Sequence, residues 1–314
     1  MGDLEVLVSV GIPVYNAQDF LQRSLESVYA QTYGNIEVVI VDDGSTDRSA
    51  QIIGNIVAKY PQRKTRVITL THNKGLWNAR NLLLDNMLGE YLAFCDADDW
   101  IEPDFIEKML QSAVEIGAKV VVCQYFDSDG NVVGKGIRTK LDEMPINTLQ
   151  FALYNKLIKR SIIDRYNLRV FEGVNCWEDL SVTARVFAKA HDKVAVLQEP
   201  LYHYDNKRPD SLSKSNAAKI LHERIACAYN LLGWFGVNTH EGHHKQFLLN
   251  MCFFAKVKFI TGPTKHLGRW RRTFPKVNHN IWSINMPLRY RFVFFCLAKL
   301  PYKITKILLK KFED

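Results

Sequence analysis

The sequence lacks several features that would place it in common protein classes. It has no run of about 18 uncharged apolar residues, so no membrane-spanning helix is predicted. Its six cysteines form no C-x-x-C pair, which argues against a cysteine zinc site and favours reduced, buried thiols. Internal repeats and low-complexity tracts are absent, and no basic leader precedes the first apolar run. We therefore expect a globular protein that stays in the cytoplasm.

Acidic residues are missing from one long part of the chain. Between Gly242 and Phe312 there is no Asp or Glu but there are 15 Lys and Arg, whereas the remainder holds 26 basic and 33 acidic residues. The net charge of +8 therefore comes from the C-terminal region. No recognised nucleic-acid-binding module accompanies this charge, so no nucleic-acid partner is predicted.

The first 125 residues alternate between strand and helix patterns. The apolar runs are EVLVSVGI, NIEVVIVDD, TRVITLT, EYLAFCD and AKVVVCQY, and helical periodicity begins near Asp19, Asp47, Gly75 and Pro103. Strands this apolar predict an α/β fold with a mostly parallel sheet that is flanked by helices on both faces. DSDGNVVGKG then predicts a hairpin. We expect a main domain over residues 1–216, with halves 1–125 and 126–216, and a basic helical extension over residues 217–314.

Polar residues follow each of the first four predicted strands, as PVYN, DDGSTD, THNKG and DADD. In open α/β sheets ligands bind at the carboxyl ends of the strands. The four clusters are therefore predicted to surround one site.

The cluster DADD places Asp96, Asp98 and Asp99 at the end of a buried strand. Crowded carboxylates raise each other's pKa unless a cation or several donors lie among them. Asp96 and Asp98 can both reach the site if the strand gives way to a turn, and two carboxylates suit Mg²⁺ or Mn²⁺, which also bind phosphate oxygens. A solvated acidic loop is the alternative, and the buried strand favours the metal.

The other clusters supply groups that suit a nucleotide. Asp42 or Asp43 can accept hydrogen bonds from a base or ribose, while a turn and helix cap account for the rest of DDGSTD. Tyr15 offers a ring on which a base can stack. Arg80 can offset phosphate charge. Asn73 is a further candidate, with an ordinary surface-loop residue as the alternative.

These motifs resemble glycosyltransferase family 2. The resemblance rests on VGIPVYNAQDFLQRSLESVYAQTYGNIEVVIVDDGSTDRS, NKGLWNARN and GEYLAFCDADDWIEPDFIEKM, and it covers residues 5–115 in order. It implies a GT-A (Rossmann-like) fold, an inverting mechanism, a nucleotide-sugar donor, usually a UDP-sugar, and Mn²⁺ or Mg²⁺ as cofactor. The enzyme would be a metal-dependent hexosyl- or N-acetylhexosaminyl-transferase.

The resemblance also implies roles for single residues. The nucleotide would be held by Pro13, Tyr15, Asp43, Asn73 and Arg80. Asp96 would lie beside the ribose and the metal, and Asp98 would bind the metal.

A looser resemblance continues through LYNKLIKRSII, CWEDLSVTARVF and EPLYHYDNKRPDSLS. In the bacterial capsule and lipopolysaccharide branch of the family an Asp at the ED position is the catalytic base, which here is Asp179. Periodicity from Leu180 to Ala188 puts Glu178 and Asp179 at a helix start, where stabilising the helix is the alternative role. His203 is a candidate third metal ligand, or a polar residue on an edge strand. Lys207 or Arg208 is a candidate diphosphate contact, or a solvated loop charge.

The stretch HEGHH, residues 240–244, matches the H-E-x-x-H zinc-peptidase pattern. Gly242 lies inside it, and no acidic residue follows it before Glu313. A chance match or a histidine-rich helix cap therefore accounts better for the motif than a peptidase site.

The end of the chain alternates cations with apolar residues. Apolar positions at helical spacing are Leu297, Leu300, Ile304, Ile307 and Leu308, and the other side carries Lys299, Lys303, Lys306 and Lys310. This pattern predicts peripheral contact with an anionic membrane at its cytoplasmic face, with packing on the main domain as the alternative.

The function predicted from all of these motifs is transfer of a sugar to a glycan or lipid-linked glycan in surface polysaccharide synthesis. A non-catalytic nucleotide-sugar-binding subunit is the alternative from a different class.

Overall fold

The computed structural model describes residues 6–146, 151–191, 193–205, 207, 216–238, 244–262, 266–301 and 304–305. The chain divides into two compact units. The first unit comprises Met1–Lys140 and Thr148–Ser211, and the second comprises Leu141–Asn147 and Leu212–Asp314. The domain boundary between residues 216 and 217 stays a prediction. No sequence pattern indicated that Leu141–Asn147 would group with the C-terminal part.

Strands and helices alternate through the first unit. The strands are β1 (Val8–Val14), β2 (Ile36–Asp42), β3 (Lys64–Thr69), β4 (Tyr91–Phe94), β5 (Trp100–Ile101), β6 (Val120–Phe126), β7 (Val132–Val133), β8 (Lys156–Lys159) and β9 (Val194–His203). The helices are α1 (Leu21–Tyr29), α2 (Ser49–Lys59), α3 (Leu76–Asn86), α4 (Phe105–Glu115), α5 (Arg160–Arg165) and α6 (Glu178–Ala190). The strands, helices and hairpin predicted from the alternating patterns are all present.

The described strands form one mixed sheet in the order β3-β2-β1-β4-β8-β6-β9-β5, with β7 beside β6. β1 pairs in parallel with β2 and β4, β2 with β3, and β6 with β9. β8 is antiparallel to both of its neighbours, β4 and β6. The five strands predicted from the sequence therefore run in one direction, which confirms the α/β class, although β8 separates the fourth from the fifth.

The core of the first unit lies against the central strands. Every residue of β1 and β4 is buried. β3 differs, because four of its six residues are exposed. Among the described strands, β3 is the edge strand of the sheet and pairs only with β2. All six cysteines are free thiols.

The second unit is helical over its described residues, as predicted. Its helices are α7 (Ala217–Asn238), α8 (Lys245–Lys256), α9 (Lys258–Thr261), α10 (Leu267–Arg272), α11 (Pro275–His279) and α12 (Leu288–Lys299), with 3₁₀ turns at Leu141–Glu143 and Ile281–Ser283. Within the described part of the chain, no helix is both long enough and apolar enough to cross a membrane.

A lysine lies in the core of the second unit. Lys256 is fully buried, and its Nζ donates to the carbonyl oxygens of Trp270 (3.1 Å) and Thr273 (2.8 Å) and to Oδ1 of Asn278 (2.7 Å). Its Nζ also lies 4.5 Å from the centroid of the Trp270 ring. Burial lowers the pKa of Lys256 to about 7. These hydrogen bonds connect α8 to α10 and α11.

The apolar side predicted for the C-terminal helix packs inward in part. Leu297 is fully buried, and its carbonyl oxygen accepts a hydrogen bond from Nε of Arg271 (2.9 Å). Phe294, one turn earlier, packs edge-to-face on Phe253 at 4.9 Å between ring centroids. The prediction that Leu297 faces lipid is therefore wrong. The predicted positions 303, 306–308 and 310 lie outside the described residues.

Candidate functional site

Pro13 and Tyr15 lie at the carboxyl end of β1. The carbonyl oxygen of Gly11 accepts from the N–H of Cys95 (3.1 Å), so Gly11 and Pro13 direct their backbone groups towards β4. The pairing of β1 with β4 ends at Gly11 and Phe94. Pro13 therefore sits where no strand partner needs the N–H that proline lacks. Tyr15 follows the strand and is exposed.

Asp42 ends β2 and Asp43 follows it, and both accept hydrogen bonds from backbone N–H groups. Asp42 Oδ1 accepts from Ser45 (2.9 Å). Asp43 is buried, and its Oδ1 and Oδ2 accept from the N–H groups of Lys74 and Gly75, each at 2.8 Å. Burial raises the pKa of Asp43, and the two backbone donors oppose that shift. Asp43 thus joins the loop after β2 to the loop before α3, a structural role that the sequence did not reveal.

Gly44 packs against the same loop. Its φ is +72°, and a Cβ on this residue would lie 2.5 Å from the carbonyl carbon of His72 and 2.8 Å from the backbone nitrogen of Asn73. Only glycine allows the two loops to approach this closely. The side chain of Asn73 is exposed beside this contact.

Arg80 is a buried cation in α3. Its Nη2 lies 2.7 Å from Oδ1 of Asp96 and 3.6 Å from Oδ1 of Asp179. Burial opposes its charge, but the two carboxylates outweigh burial and raise the pKa of Arg80, so it stays protonated. Nε and Nη1 of Arg80 have no hydrogen-bond partner within the described residues. The partners of Arg80 among the described residues are carboxylates, and the phosphate contact suggested by the sequence stays a prediction.

The three carboxylates of DADD occupy different environments. Asp99 is buried, and its Oδ2 accepts from the hydroxyl of Tyr202 (2.6 Å) while its Oδ1 accepts from the N–H of Asp205 (2.7 Å). Burial, and then the charges of Asp96 and Asp98, raise the pKa of Asp99 well above its usual value. Asp96 and Asp98 are only half-buried. Asp99 therefore anchors the turn, and Asp96 and Asp98 are the more exposed carboxylates of the three.

His203 lies at the end of β9 between two aromatic rings. Its ring stacks on Trp100 at 4.5 Å and on Phe126 at 4.7 Å. Its Nε2 is 2.6 Å from Oε1 of Glu102, which leaves Nδ1 for any further partner. Among the residues that the structure describes, no three or more His, Cys, Asp or Glu side chains are grouped so that they could hold a metal ion. Metal binding by the predicted three-residue set stays a prediction.

Asp179 lies in the first turn of α6, as the helical periodicity predicted. The helix follows Trp177, whose φ is +74°. Asp179 Oδ2 accepts from the N–H of Leu153 (3.1 Å), and Oδ1 has no hydrogen-bond partner among the described residues. The side chain is 20% exposed. Burial raises the pKa of Asp179, and the nearby charge of Arg80 opposes this shift.

Lys156 is a buried residue at this site that sequence reasoning missed. Its Nζ donates to the carbonyl oxygen of Ala152 (2.6 Å) and to Oδ1 of Asn155 (2.8 Å). These bonds close the turn that presents the N–H of Leu153 to Asp179. Burial lowers the pKa of Lys156 to about 7, and the charge of Asp179 opposes this shift. The one feature of the sequence that could have indicated a buried lysine here is its position directly before the apolar residues LI.

Of the histidine motif, the structure describes only His244. Residues 240–243 lie outside the described residues. His244 precedes α8 and has a φ of +60°, so it is not part of a helix that could carry both histidines on one face. Of the two loop cations considered above, Lys207 is exposed and Arg208 lies outside the described residues.

The fold of the chain is that of the GT-A class. The crystal structure of S. aureus TarS 1-349 in complex with UDP-GlcNAc has a TM-score of 0.72 and 19% identity, with 98% of this chain and 91% of that chain covered. The mannosyltransferase PcManGT from Pyrobaculum calidifontis, in complex with GDP-Man and Mn²⁺, has a TM-score of 0.53 and 16% identity, with 98% and 85% covered.

The chain belongs to glycosyl transferase family 2, whose model matches residues 9–172. Glycosyltransferase GlyA of Streptococcus pneumoniae is 32% identical over 268 residues, which are 77% of this chain and 37% of GlyA. Succinoglycan biosynthesis protein ExoO of Rhizobium meliloti is 28% identical over 197 residues, which are 58% of this chain and 56% of ExoO. The aligned regions therefore span less than two thirds of either relative.

Proposed function

We propose that the protein is an inverting glycosyltransferase that moves a hexosyl or N-acetylhexosaminyl group from a UDP-sugar to a glycan or lipid-linked glycan. The observation that carries the proposal is the position of Arg80, whose guanidinium contacts both Asp96 and Asp179. One buried cation thereby holds the candidate donor-side carboxylate close to the candidate base. The similarity to a UDP-GlcNAc complex and to a succinoglycan biosynthesis protein supports this donor and a role in surface polysaccharide synthesis.

In this proposal the nucleotide lies across the loops that follow β1, β2 and β3. Tyr15 stacks on the base, because it is an exposed ring at the end of a buried strand. Pro13, Asp43 and Asn73 shape the remainder of the pocket. Both oxygens of Asp43 already accept backbone hydrogen bonds, so it contacts the nucleotide through its remaining lone pairs.

Asp96 and Asp98 are the proposed ligands of Mn²⁺ or Mg²⁺. Burial, and then the charges of Asp96 and Asp98, raise the pKa of Asp99, and this crowding of carboxylates supports a divalent cation beside them. Two carboxylates with phosphate oxygens and water are an ordinary ligand set for such a cation. His203 remains a proposed third ligand through Nδ1. When bound, the cation would stabilise negative charge on the diphosphate.

Asp179 is the proposed catalytic base. As the acceptor oxygen forms its bond to the anomeric carbon, its proton passes to Asp179, and the bond from that carbon to the diphosphate breaks with its electron pair on the diphosphate. Oδ1 suits this role because no hydrogen bond from the described residues occupies it. Burial raises the pKa of Asp179 and so makes its carboxylate more basic, while the nearby charge of Arg80 opposes this shift.

The Asp179→Asn variant tests this proposal. It should reduce sugar transfer by about 10²- to 10⁴-fold, because the proton acceptor is lost. Release of UDP from a panel of UDP-sugars with glycan acceptors measures transfer, and calorimetry with UDP and Mn²⁺ measures donor-site binding, which should be unchanged. Asp164→Asn is the matched control, since Asp164 is an exposed carboxylate paired with Arg160.

Two outcomes would count against the proposal. Wild-type rates in Asp179→Asn would remove Asp179 from catalysis. A wild-type protein that binds UDP but transfers no sugar from any donor would instead support the alternative of a non-catalytic binding subunit.

The proposal places the enzyme in the cytoplasm, with the basic C-terminal region at the cytoplasmic face of the membrane. Its support is the run from Gly242 to Phe312, which carries 15 Lys and Arg and no acidic residue. A lipid-linked acceptor would be held at that same surface.

A further inference from the structure

Large apolar side chains are exposed at and just before the start of α12. Leu288 is 69% exposed, Phe292 59%, Trp282 44% and Tyr290 39%. We call these four residues the α12 patch. Leu288 and Phe292 are four positions apart and therefore share one face of the helix. A cluster of large exposed apolar side chains within eleven residues is typical of an interaction site.

The second unit also has an apolar groove beside the start of α12. It has a volume of about 410 Å³ and is lined mainly by aromatic and aliphatic side chains, among them Phe254, Pro287, Tyr290 and Phe294. Tyr290 borders this groove, whereas Leu288 and Phe292 lie on another face of α12, because residues two positions apart in a helix do not face each other.

Two arginines give this surface its geometry and its charge. Arg291 donates through Nε to the carbonyl oxygen of Met286 (2.8 Å) and through Nη1 to that of Trp282 (3.0 Å), which fixes the turn before α12. Arg289 is exposed beside Tyr290, with its Cζ 4.8 Å from the ring centroid. The hydrogen bonds of Arg291 therefore hold Trp282 near the start of α12. Leu288, Phe292 and Arg289 are exposed in the first turns of that helix.

The charge of the region selects among possible partners. No Asp or Glu occurs between Gly242 and Phe312, so a second copy docking through the same surface would bring cations against cations. An anionic lipid surface complements the charge and also accepts the apolar groups. Trp and Tyr are suited to the boundary between headgroups and acyl chains, and arginine can extend its head to the lipid phosphates.

We infer that the α12 patch docks this protein onto an anionic lipid bilayer. Leu288, Phe292 and Trp282 enter the acyl boundary, and Arg289 lies among the headgroups. Leu297, which the sequence pattern also assigned to the apolar side, is buried in the second unit and takes no part in this surface. The biological reason for docking rests on the proposed function, in which the acceptor can be lipid-linked, but the binding itself does not depend on catalysis.

The test uses the full chain and measures binding in the absence of donor and acceptor. Co-sedimentation with phosphatidylcholine vesicles, with and without phosphatidylglycerol, gives the partition coefficient. Wild type should bind the anionic vesicles and not the neutral ones. The double variant Leu288→Ser, Phe292→Ser should lose at least about tenfold in binding, because two anchors no longer transfer apolar area from water. Arg289→Gln should lose about fivefold.

A matched control comes from the first unit. Leu88 and Ile116 are exposed to a similar degree, 53% and 56%, outside the α12 patch. Leu88→Ser, Ile116→Ser should therefore bind vesicles as wild type does. Circular dichroism and UDP binding, measured on every variant, verify that the chain is folded and that the donor site is intact.

Three results would overturn the inference. Wild type that ignores anionic vesicles rules it out, as does equal binding by wild type and the Leu288/Phe292 double variant. A dimer in sedimentation experiments that the double variant abolishes would identify the α12 patch as a self-association surface. Failure of sugar transfer alone would count against the proposed function and leave vesicle binding unaffected.

Discussion

At the scale of single residues, one tyrosine hydroxyl holds two parts of the acidic turn. Tyr202 donates to Oδ2 of Asp99 (2.6 Å) and accepts from the backbone N–H of Asp96 (3.1 Å). The carboxylate of Asp99 is buried, so its hydrogen bonds replace those that water would give. The same hydroxyl thereby fixes the backbone from which the Asp96 side chain, the partner of Arg80, projects.

The Tyr202→Phe variant should be less stable than wild type by about 1–3 kcal/mol, because it leaves a buried carboxylate oxygen and a backbone N–H without their partner. Urea unfolding of the full chain measures this change. Metal-dependent UDP binding should weaken as well, since the backbone of Asp96 is no longer fixed. Tyr229→Phe is the control, because Tyr229 is exposed, and it should unfold as wild type does. Unchanged unfolding of Tyr202→Phe would contradict this account of the turn.

The residue types at the candidate site could be predicted from the sequence, but several of their partners could not. Motifs placed Asp43 and Asp99 after buried strands and Arg80 in the segment after β3, and the structure has them at those places. Their hydrogen bonds reach groups that are distant in the chain, such as Lys74 for Asp43 and Tyr202 for Asp99. A local pattern holds no information about such partners, so anchoring and ligand-binding carboxylates look alike in the sequence.

At the scale of secondary-structure elements, the site depends on close contact between the loops after β2 and β3. Gly44 and Gly130 both have positive φ, +72° and +79°, and so share the same backbone cost for any other residue. They differ in surroundings, because a Cβ on Gly44 would lie 2.5 Å from the His72 backbone whereas one on Gly130 would meet nothing within 4 Å. Comparing substitutions at Gly44 and Gly130 therefore distinguishes the cost of the backbone conformation from the cost of disturbing the contact between the loops.

Gly44→Ala should therefore destabilise the protein more than Gly130→Ala does. The second variant should cost about 1 kcal/mol from its backbone conformation alone. The first should cost at least about 1 kcal/mol more, because the two loops must separate. Urea unfolding measures both changes, and calorimetry with UDP should show weaker binding for Gly44→Ala only. Equal effects of the two substitutions would mean that the loop contact contributes nothing.

Strands with long apolar runs could be predicted from the sequence, whereas β8, which has no such run, could not. The strands β1 to β4 and β6 have long apolar runs bounded by polar turns, and each was found where expected. β8, from Lys156 to Lys159, is short and begins with a buried lysine, so it resembles a loop. Its place between β4 and β6 is set by pairing with strands that are distant in sequence.

At the scale of the whole molecule, each of the two units contains a buried lysine in a different setting. Lys156 in the first unit lies near the carboxylate of Asp179. Lys256 in the second unit is bound by neutral oxygens of Trp270, Thr273 and Asn278. Burial lowers the pKa of each to about 7. The second unit thus couples its stability to pH through a group that is outside the candidate active site.

Lys256→Met should destabilise the second unit by at least about 2 kcal/mol, because several buried oxygens lose their donor. The pKa of Lys256 is about 7 when folded, whereas an unfolded lysine has a pKa of about 10.4. Between these two pH values the unfolded chain holds a proton on Lys256 that the folded chain lacks. The free energy of unfolding of the wild type therefore increases with pH. The Lys256→Met variant has no such pH dependence. The difference in free energy of unfolding between wild type and variant should therefore be larger at about pH 9 than at about pH 7.

Hydrogen exchange measured segment by segment distinguishes this effect from a general loss of stability. Amides of α8 and α10 should exchange faster in Lys256→Met, with the larger difference at the higher pH. UDP should still protect the loops around Asp43, because the donor site belongs to the first unit. A deficit that is the same at both pH values would mean that Lys256 remains charged in the folded protein, with the surrounding oxygens compensating for its burial.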